Sequence, residues 1–173
     1  MESKFNFKNF SIVIPIFNEE EILEESTNAI FSLCKRMEID FEIIFSENGS
    51  TDKTKSIAEE LTNKHREIKI ISNPEPNYGN ALKTGFKIAK NDLVISFDID
   101  YYSESFLSEA LKLESEYSGI TASKRLESSE DGRRFIRRLA TNFFVILLKT
   151  LFGTKLSDTH GMKAIKKSEI EKF

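Results

Sequence analysis

Asp98-Ile99-Asp100 sets two carboxylates one residue apart, directly behind the apolar run LVISF at 93–97. At the end of a buried strand, such a pair can point toward one ion. Hard oxygen ligands suit Mg2+ or Mn2+, cations that also bind diphosphate oxygens. A metal held there would neutralise charge growing on a leaving nucleoside diphosphate. An isolated Asp-x-Asp is more often a solvated turn; what singles this one out is the company it keeps. Glu47-Asn48-Gly49-Ser50-Thr51-Asp52 follows a second apolar run. Gly49 permits a tight turn, and Ser50 or Thr51 can cap the next helix. Turn chemistry does not account for Glu47, a carboxylate at the strand end able to accept a hydrogen bond from a nucleobase N–H edge. Asn18 and Glu19 follow a third run, SIVIPIF.

The elements that would position these clusters alternate. Short β-branched runs at 11–17, 41–45, 68–71 and 93–97 have the length and flanks of buried strands, with a further strand at 119–122. Between them, Ile22, Leu23, Ile30, Leu33, Cys34 and Met37 recur at helical spacing, as do Ile57, Ala58 and Leu61. Ala81, Leu82, Gly85, Phe86 and Ala89 mark a helix over 80–90, and 106–117 a fourth. Asn18 is expected to N-cap the first helix, with Glu21 completing a capping box, and 50–52 to start the second. Two of the three prolines fall in 73–79, which is expected to be a loop. The fold class is therefore α/β: a mostly parallel sheet with helices on both faces, in one domain over 1–173. In such sheets ligands bind beyond the carboxyl ends of the strands, where all three polar clusters fall.

The chain has 173 residues, enough for one proper core. A formal net charge of −3 argues against a nucleic-acid partner, which calls for a basic domain. The one cysteine, Cys34, sits on the apolar side of its helix and is expected to be core packing; no internal disulfide can form, which suits a reducing compartment. No secretory leader is visible at the N-terminus, and no run approaches the ~18 apolar residues of a membrane span. The expected location is cytoplasmic.

Five segments occur in the order found in family 2 glycosyltransferases: SIVIPIFNEEE, EIIFSENGSTDKT, NYGNALKTGFKIAKNDLVISFDID, ASKR and SDTHGMKAI. The chain resembles that family over roughly 10–167, with its strongest likeness to the polyprenyl-phosphate branch of dolichyl-phosphate mannose and glucose synthases. The resemblance implies the GT-A form of the α/β fold. It implies a nucleotide pocket lined by Pro15, Asn18 and Glu19, and flanked by Gly79 and its helix. Glu47 would take the place of the acidic residue that binds the base. Asn48 stands where the family more often has Asp. Asp98 and Asp100 would be the metal and diphosphate motif, with Asp100 the more direct ligand. Tyr102 occupies a position where several relatives carry a Gln that completes the metal shell. The chain also stops soon after its last motif, where relatives continue with another helix and strand, so a trimmed or minimal domain is expected.

Lys124, Arg125, Arg133, Arg134, Arg137 and Arg138 form a basic cluster in an acidic protein. Phe135, Ile136, Leu139, Phe143, Ile146, Leu147 and Leu151 add an apolar helical pattern behind it. Together they suit an anionic membrane surface, or a core helix with a solvated basic edge. In the resembling family basic residues here hold the acceptor's phosphate, and Lys124, Arg125, Arg137 and Thr141 match that pattern. The implied reaction moves a sugar from a UDP- or GDP-sugar to a polyprenyl phosphate with inversion, on the cytoplasmic membrane face. A phosphate monoester, with its second pKa near ~6, is already largely ionised at neutral pH and needs no base. Were the acceptor a hydroxyl, Asp158 would be the candidate base. His160 replaces a family Gln beside it. Two other classes remain open: a non-catalytic nucleotide-sugar-binding module, motivated by Asn48 and Tyr102, and a nucleotidyltransferase, whose basic Gly-rich loop is missing from the acidic IPIFNEEE.

Overall fold

The computed structural model describes residues 5–122 and 161–172. The chain divides into two units, Met1–Ile120 with Met162–Phe173, and Thr121–Gly161. The first is described below; Lys124, Arg125, Arg137, Thr141, Asp158 and His160 lie outside the described residues, as does the apolar helical pattern around Phe143.

The elements run β1 (Asn9–Ile16), α1 (Leu23–Arg36), β2 (Asp40–Glu47), α2 (Thr54–Lys64), β3 (Ile68–Ser72), α3 (Tyr78–Ile88), β4 (Leu93–Ser96), α4 (Glu104–Leu111), β5 (Gly119–Thr121) and β6 (Lys163–Lys166). They form a six-stranded sheet in the order β3-β2-β1-β4-β6-β5. The pairs β1–β2, β2–β3 and β1–β4 are parallel; β4–β6 is antiparallel. The chain lays down β1, β2 and β3 in one direction, then returns to place β4 on the other side of β1. The strand order reverses between β1 and β4.

Both faces of the sheet are covered, as uninterrupted apolar strands require. Successive residues Ile12, Val13 and Ile14 point to opposite faces, and all are fully buried. On one face Val13, Ile44 and Val94 meet Leu82 and Phe86 of α3. On the other, Phe31 of α1 meets Phe41 edge-on at 5.4 Å, and Phe106 of α4 lies 6.5 Å from Phe97. Each fully buried aliphatic side chain contributes about 1.5–3 kcal/mol relative to its exposed state. Gly85 lets α3 seat closely: a Cβ there would collide with Val13 Cγ1. Cys34 is fully buried in α1, and burial pushes its thiol up to about 12, so it acts as an apolar filler. His65 ends α2 and lays its ring 4.4 Å from Phe31.

Two helix starts differ from expectation. Asn18 does not cap α1, which begins five residues later at Leu23 with no side-chain cap, so the capping box with Glu21 does not form. Helix α2 begins at Thr54 rather than at 50–52, and Asp52 Oδ1 accepts the Thr54 N–H at 2.9 Å. The physical reason is that both loops spend their polar groups on each other. Helices α3 and α4 also start two residues earlier than expected, at Asn77 and Ser103 caps, and α4 is short. The segment 163–166, not expected as a strand, is β6, the antiparallel member of the sheet.

Candidate active site

The crevice begins where β1 and β4 part. Their pairing ends at Val13↔Ser96, followed by a bond from the Phe97 N–H to the Val13 carbonyl, whereas β1–β2 pairing continues to Ile16↔Glu47. Within a strand the N–H and C=O of one residue point the same way and alternate along the chain. Val13 faces β4, so Pro15 does too, and Pro15 has no N–H to donate. The proline therefore ends the β1–β4 ladder at the point where the strand order reverses, the place where ligands bind in open α/β sheets.

The β1–α1 and β2–α2 loops are interlocked at this edge. Asn18 adopts a left-handed backbone with φ 55°, which Asn tolerates better than most residues. Its Oδ1 accepts the Thr51 N–H at 2.9 Å, and its own N–H donates to Ser50 Oγ at 3.2 Å. The Glu19 N–H donates to Thr54 Oγ1 at 2.7 Å, the Glu20 N–H to Asp52 Oδ2 at 3.3 Å, and the Lys53 N–H to Glu20 Oε2 at 2.9 Å. Gly49 turns the second loop with φ 76°, and a Cβ there would press on the Pro74 carbonyl at 3.1 Å.

Glu47 is nearly fully buried at the end of β2, and its Oε1 accepts the Ser50 N–H at 2.6 Å. Asn48 is also buried. Its Oδ1 accepts the Asn77 N–H at 2.8 Å and so pins the start of α3 to the end of β2. Gly79 is the second residue of α3, and among the described residues a Cβ there would meet only Asn77 Oδ1, at 3.6 Å.

The Asp98-Ile99-Asp100 turn is closed by reciprocal bonds between Asp98 and Tyr101, at 3.2 and 3.1 Å. Ile99 enters the core at 2% exposure, and Asp98 and Asp100 flank it at half-buried and exposed positions. Asp98 Oδ1 accepts the Tyr78 hydroxyl at 3.0 Å. Burial and the Asp98 charge together push the Tyr78 phenol well above its ordinary value, so it stays a donor. Tyr102 packs its ring 6.5 Å from Phe97.

Glu19 shares this edge with Asp52, Asp98 and Asp100. Glu19 is held above the usual carboxylate range, first by burial and then by the charges of Asp100, Asp52 and Asp98. They differ in what they have left to offer. Burial works against ionisation of Asp52, but hydrogen bonds from Thr54 and from the Glu20 N–H outweigh it and hold the carboxyl below its ordinary value. Asp52 is thus committed to the interlock. Asp98 has one partner, and Asp100 accepts no hydrogen bond among the described residues. Two uncommitted carboxylates amid mutual repulsion fit a divalent cation. Among the described residues no three His, Cys, Asp or Glu side chains gather into a ready cage, so further ligands would have to come from a diphosphate and water. Tyr78 and Asp52 were not among the residues read from the sequence as functional. The one signal for Tyr78 is its place beside Gly79.

A mostly parallel sheet with its switch point between β1 and β4, and an acidic turn at the end of β4, is the GT-A type of α/β fold. Residues 11–173 match the model of Glycosyl transferase family 2, and the chain belongs to that family. An undecaprenyl-phosphate 4-deoxy-4-formamido-L-arabinose transferase of Proteus mirabilis is 37% identical over 92 residues, 52% of this chain and 28% of that protein. The Edwardsiella ictaluri protein of the same description is 27% identical over 168 residues, 94% of this chain and 50% of that one. The chain thus spans half or less of the length of these relatives. A mannosyltransferase from Pyrobaculum calidifontis, solved with GDP-Man and Mn2+, aligns with a TM-score of 0.64 at 19% identity, covering 94% of this chain and 46% of that one. Glucosyl-3-phosphoglycerate synthase from Mycobacterium tuberculosis, solved with Mn2+, UDP-glucose and phosphoglyceric acid, aligns at 0.67 and 20% identity, covering 93% and 57%. At these identities the likeness is one of fold.

Proposed function

We propose that this chain is the donor-binding and catalytic domain of an inverting glycosyltransferase that moves a sugar from a UDP- or GDP-sugar to a polyprenyl phosphate at a membrane surface. The observation that carries the reading is the meeting of Asp98, Asp100 and Glu19 at the β1/β4 switch point. The relatives named for undecaprenyl-phosphate sugar transfer support the acceptor class, and the fold neighbours solved with GDP-Man or UDP-glucose and Mn2+ support the donor and the metal.

In this reading Asp98 and Asp100 hold Mg2+ or Mn2+ together with the donor's diphosphate. The cation supplies charge stabilisation for the departing nucleoside diphosphate. Pro15, Asn18 and Glu19 line the nucleotide pocket, and Glu47 offers its remaining acceptor capacity to the base. Gly79, uncrowded at the start of α3, leaves room for the nucleotide to approach the backbone. Lys124, Arg125, Arg137 and Thr141 bind the acceptor phosphate, Arg137 through two parallel hydrogen bonds. An ionised phosphate then attacks without a protein base, and the protein contributes position and electrostatics. Among the described residues no helix is long and apolar enough to cross a membrane. Membrane contact is assigned to the basic, apolar stretch that follows Lys124.

The test is transfer of labelled sugar from UDP- and GDP-sugars to undecaprenyl phosphate, with Mn2+ and Mg2+. Metal-dependent transfer that falls in Arg137→Ala, with donor binding kept, is expected. Donor binding without transfer to any lipid phosphate would contradict the reading and favour a binding module.

A further inference from the structure

We propose that Tyr78 is a positioning residue for Asp98: its hydroxyl fixes one carboxylate oxygen and leaves the other for the donor's cation. The inference rests on the reading of Asp98 and Asp100 as metal ligands and adds a residue to it.

Tyr78 is the first residue of α3, yet the residue is 50% exposed, so core packing does not explain an aromatic there. Its hydroxyl reaches 20 residues along the chain to Asp98 Oδ1 at 3.0 Å. Both ends of that bond are anchored. Asn77 caps α3 by accepting the Asn80 N–H at 2.9 Å, and its own N–H is held by the buried Asn48. At the other end, Asp98 and Tyr101 lock each other's backbone. The remaining freedom of Asp98 is rotation of its side chain, and the Tyr78 hydroxyl takes that away. An ionised carboxylate has about four acceptor positions, so one bound hydroxyl leaves ample capacity for a cation. Hydrogen bonds that orient a ligating carboxylate typically account for about 10–100-fold in metal affinity. The ends of β2, α3 and β4 are thereby tied in one line: Asn48 holds Asn77, and Tyr78 beside it holds Asp98.

The experiment is Mn2+ titration of the 173-residue chain with UDP and with GDP, followed by the EPR signal of free and bound Mn2+. Tyr78→Phe is expected to bind Mn2+ about 10-fold or more weakly. It should alter the bound Mn2+ spectrum at unchanged melting temperature, and Tyr78→Ala should be no worse. Wild-type affinity and spectrum in Tyr78→Phe, with loss only in Tyr78→Ala, would overturn the proposal, because the ring and not the hydroxyl would then matter. Asp100→Ala serves as the separate check on the underlying site. If it binds Mn2+ normally, the metal reading itself fails; if it loses Mn2+ while Tyr78→Phe does not, only the positioning role fails.

Discussion

Asp98 and Asp52 show how two aspartates on one edge acquire different uses. Asp52 accepts the N–H groups of Thr54 and Glu20, one on each oxygen, whereas among the described residues Asp98 has a single partner and Asp100 is exposed. Sequence alone singles out Asp98 and Asp100 and gives Asp52 no role in the site; the donors around each carboxylate show the physical difference between them. Glu47 lies between these extremes, with one oxygen given to the Ser50 N–H. Glu47→Gln keeps an acceptor for that N–H but loses the charge offered to a base. Donor affinity is therefore expected to fall by about 1.5–3 kcal/mol with little change in melting temperature. Calorimetric titration of UDP and GDP against both proteins checks this, and unaltered affinity for both nucleotides would remove Glu47 from the base site. Asn48 and Tyr102 read as departures from a family pattern, and the structure gives each an occupation of its own: Asn48 pins α3, and Tyr102 packs on Phe97.

At the scale of elements, every strand and helix expected over 5–122 is present, because apolar periodicity is a local signal. The ends moved because caps are decided by partners far along the chain. Asn18 had the right type to cap α1 but instead turns left-handed to meet Thr51. That makes a prediction: Asn18→Gly should lose only the Oδ1 bonds, whereas Asn18→Ala should add the left-handed penalty, about 1–2 kcal/mol more destabilising. Equal unfolding midpoints for the two variants in urea would count against the interlock geometry. The close seat of α3 on β1 predicts the sign of another change. Gly85→Ala raises helix propensity by about 1 kcal/mol in an open helix. Here the new methyl meets Val13 Cγ1, so net destabilisation of about 1–3 kcal/mol is expected from overpacking. A stabilised Gly85→Ala protein would show that α3 does not sit as described. The antiparallel β6 was not legible, since KAIK is too short to carry a period and is paired only through the distant β4.

At the scale of the molecule, the sheet has two unlike ends. At the carboxyl ends of the strands carboxylates gather without matching cations among the described residues. At the other end lies a cleft of about 760 Å³ in which Lys35 pairs with Glu67 and Lys69 with Glu42. Burial alone would raise the Glu42 carboxyl. The Lys69 ammonium, the Lys90 N–H at 2.7 Å and the Ser11 hydroxyl at 2.7 Å outweigh it and hold Glu42 below its ordinary value. The folded protein therefore takes up this proton less readily than the unfolded chain. The stabilisation is complete above the ordinary glutamate range and is lost as pH falls through the lowered value. Denaturation from about pH 7 to about pH 3 should show the gap between wild type and Glu42→Gln closing toward acid. A gap that stays constant would mean that Glu42 does not titrate as described. The end proposed to bind the donor is marked in the sequence by three polar clusters behind three strands, and the crevice that unites them follows from strand order, which no local pattern encodes. The most direct test of that union is calorimetric titration of UDP- and GDP-sugars with and without Mn2+, on wild type and Asp100→Ala. Metal-dependent binding in wild type that is abolished in a folded Asp100→Ala protein is the predicted result; equal donor affinity in the two proteins in the presence of Mn2+ would contradict the account.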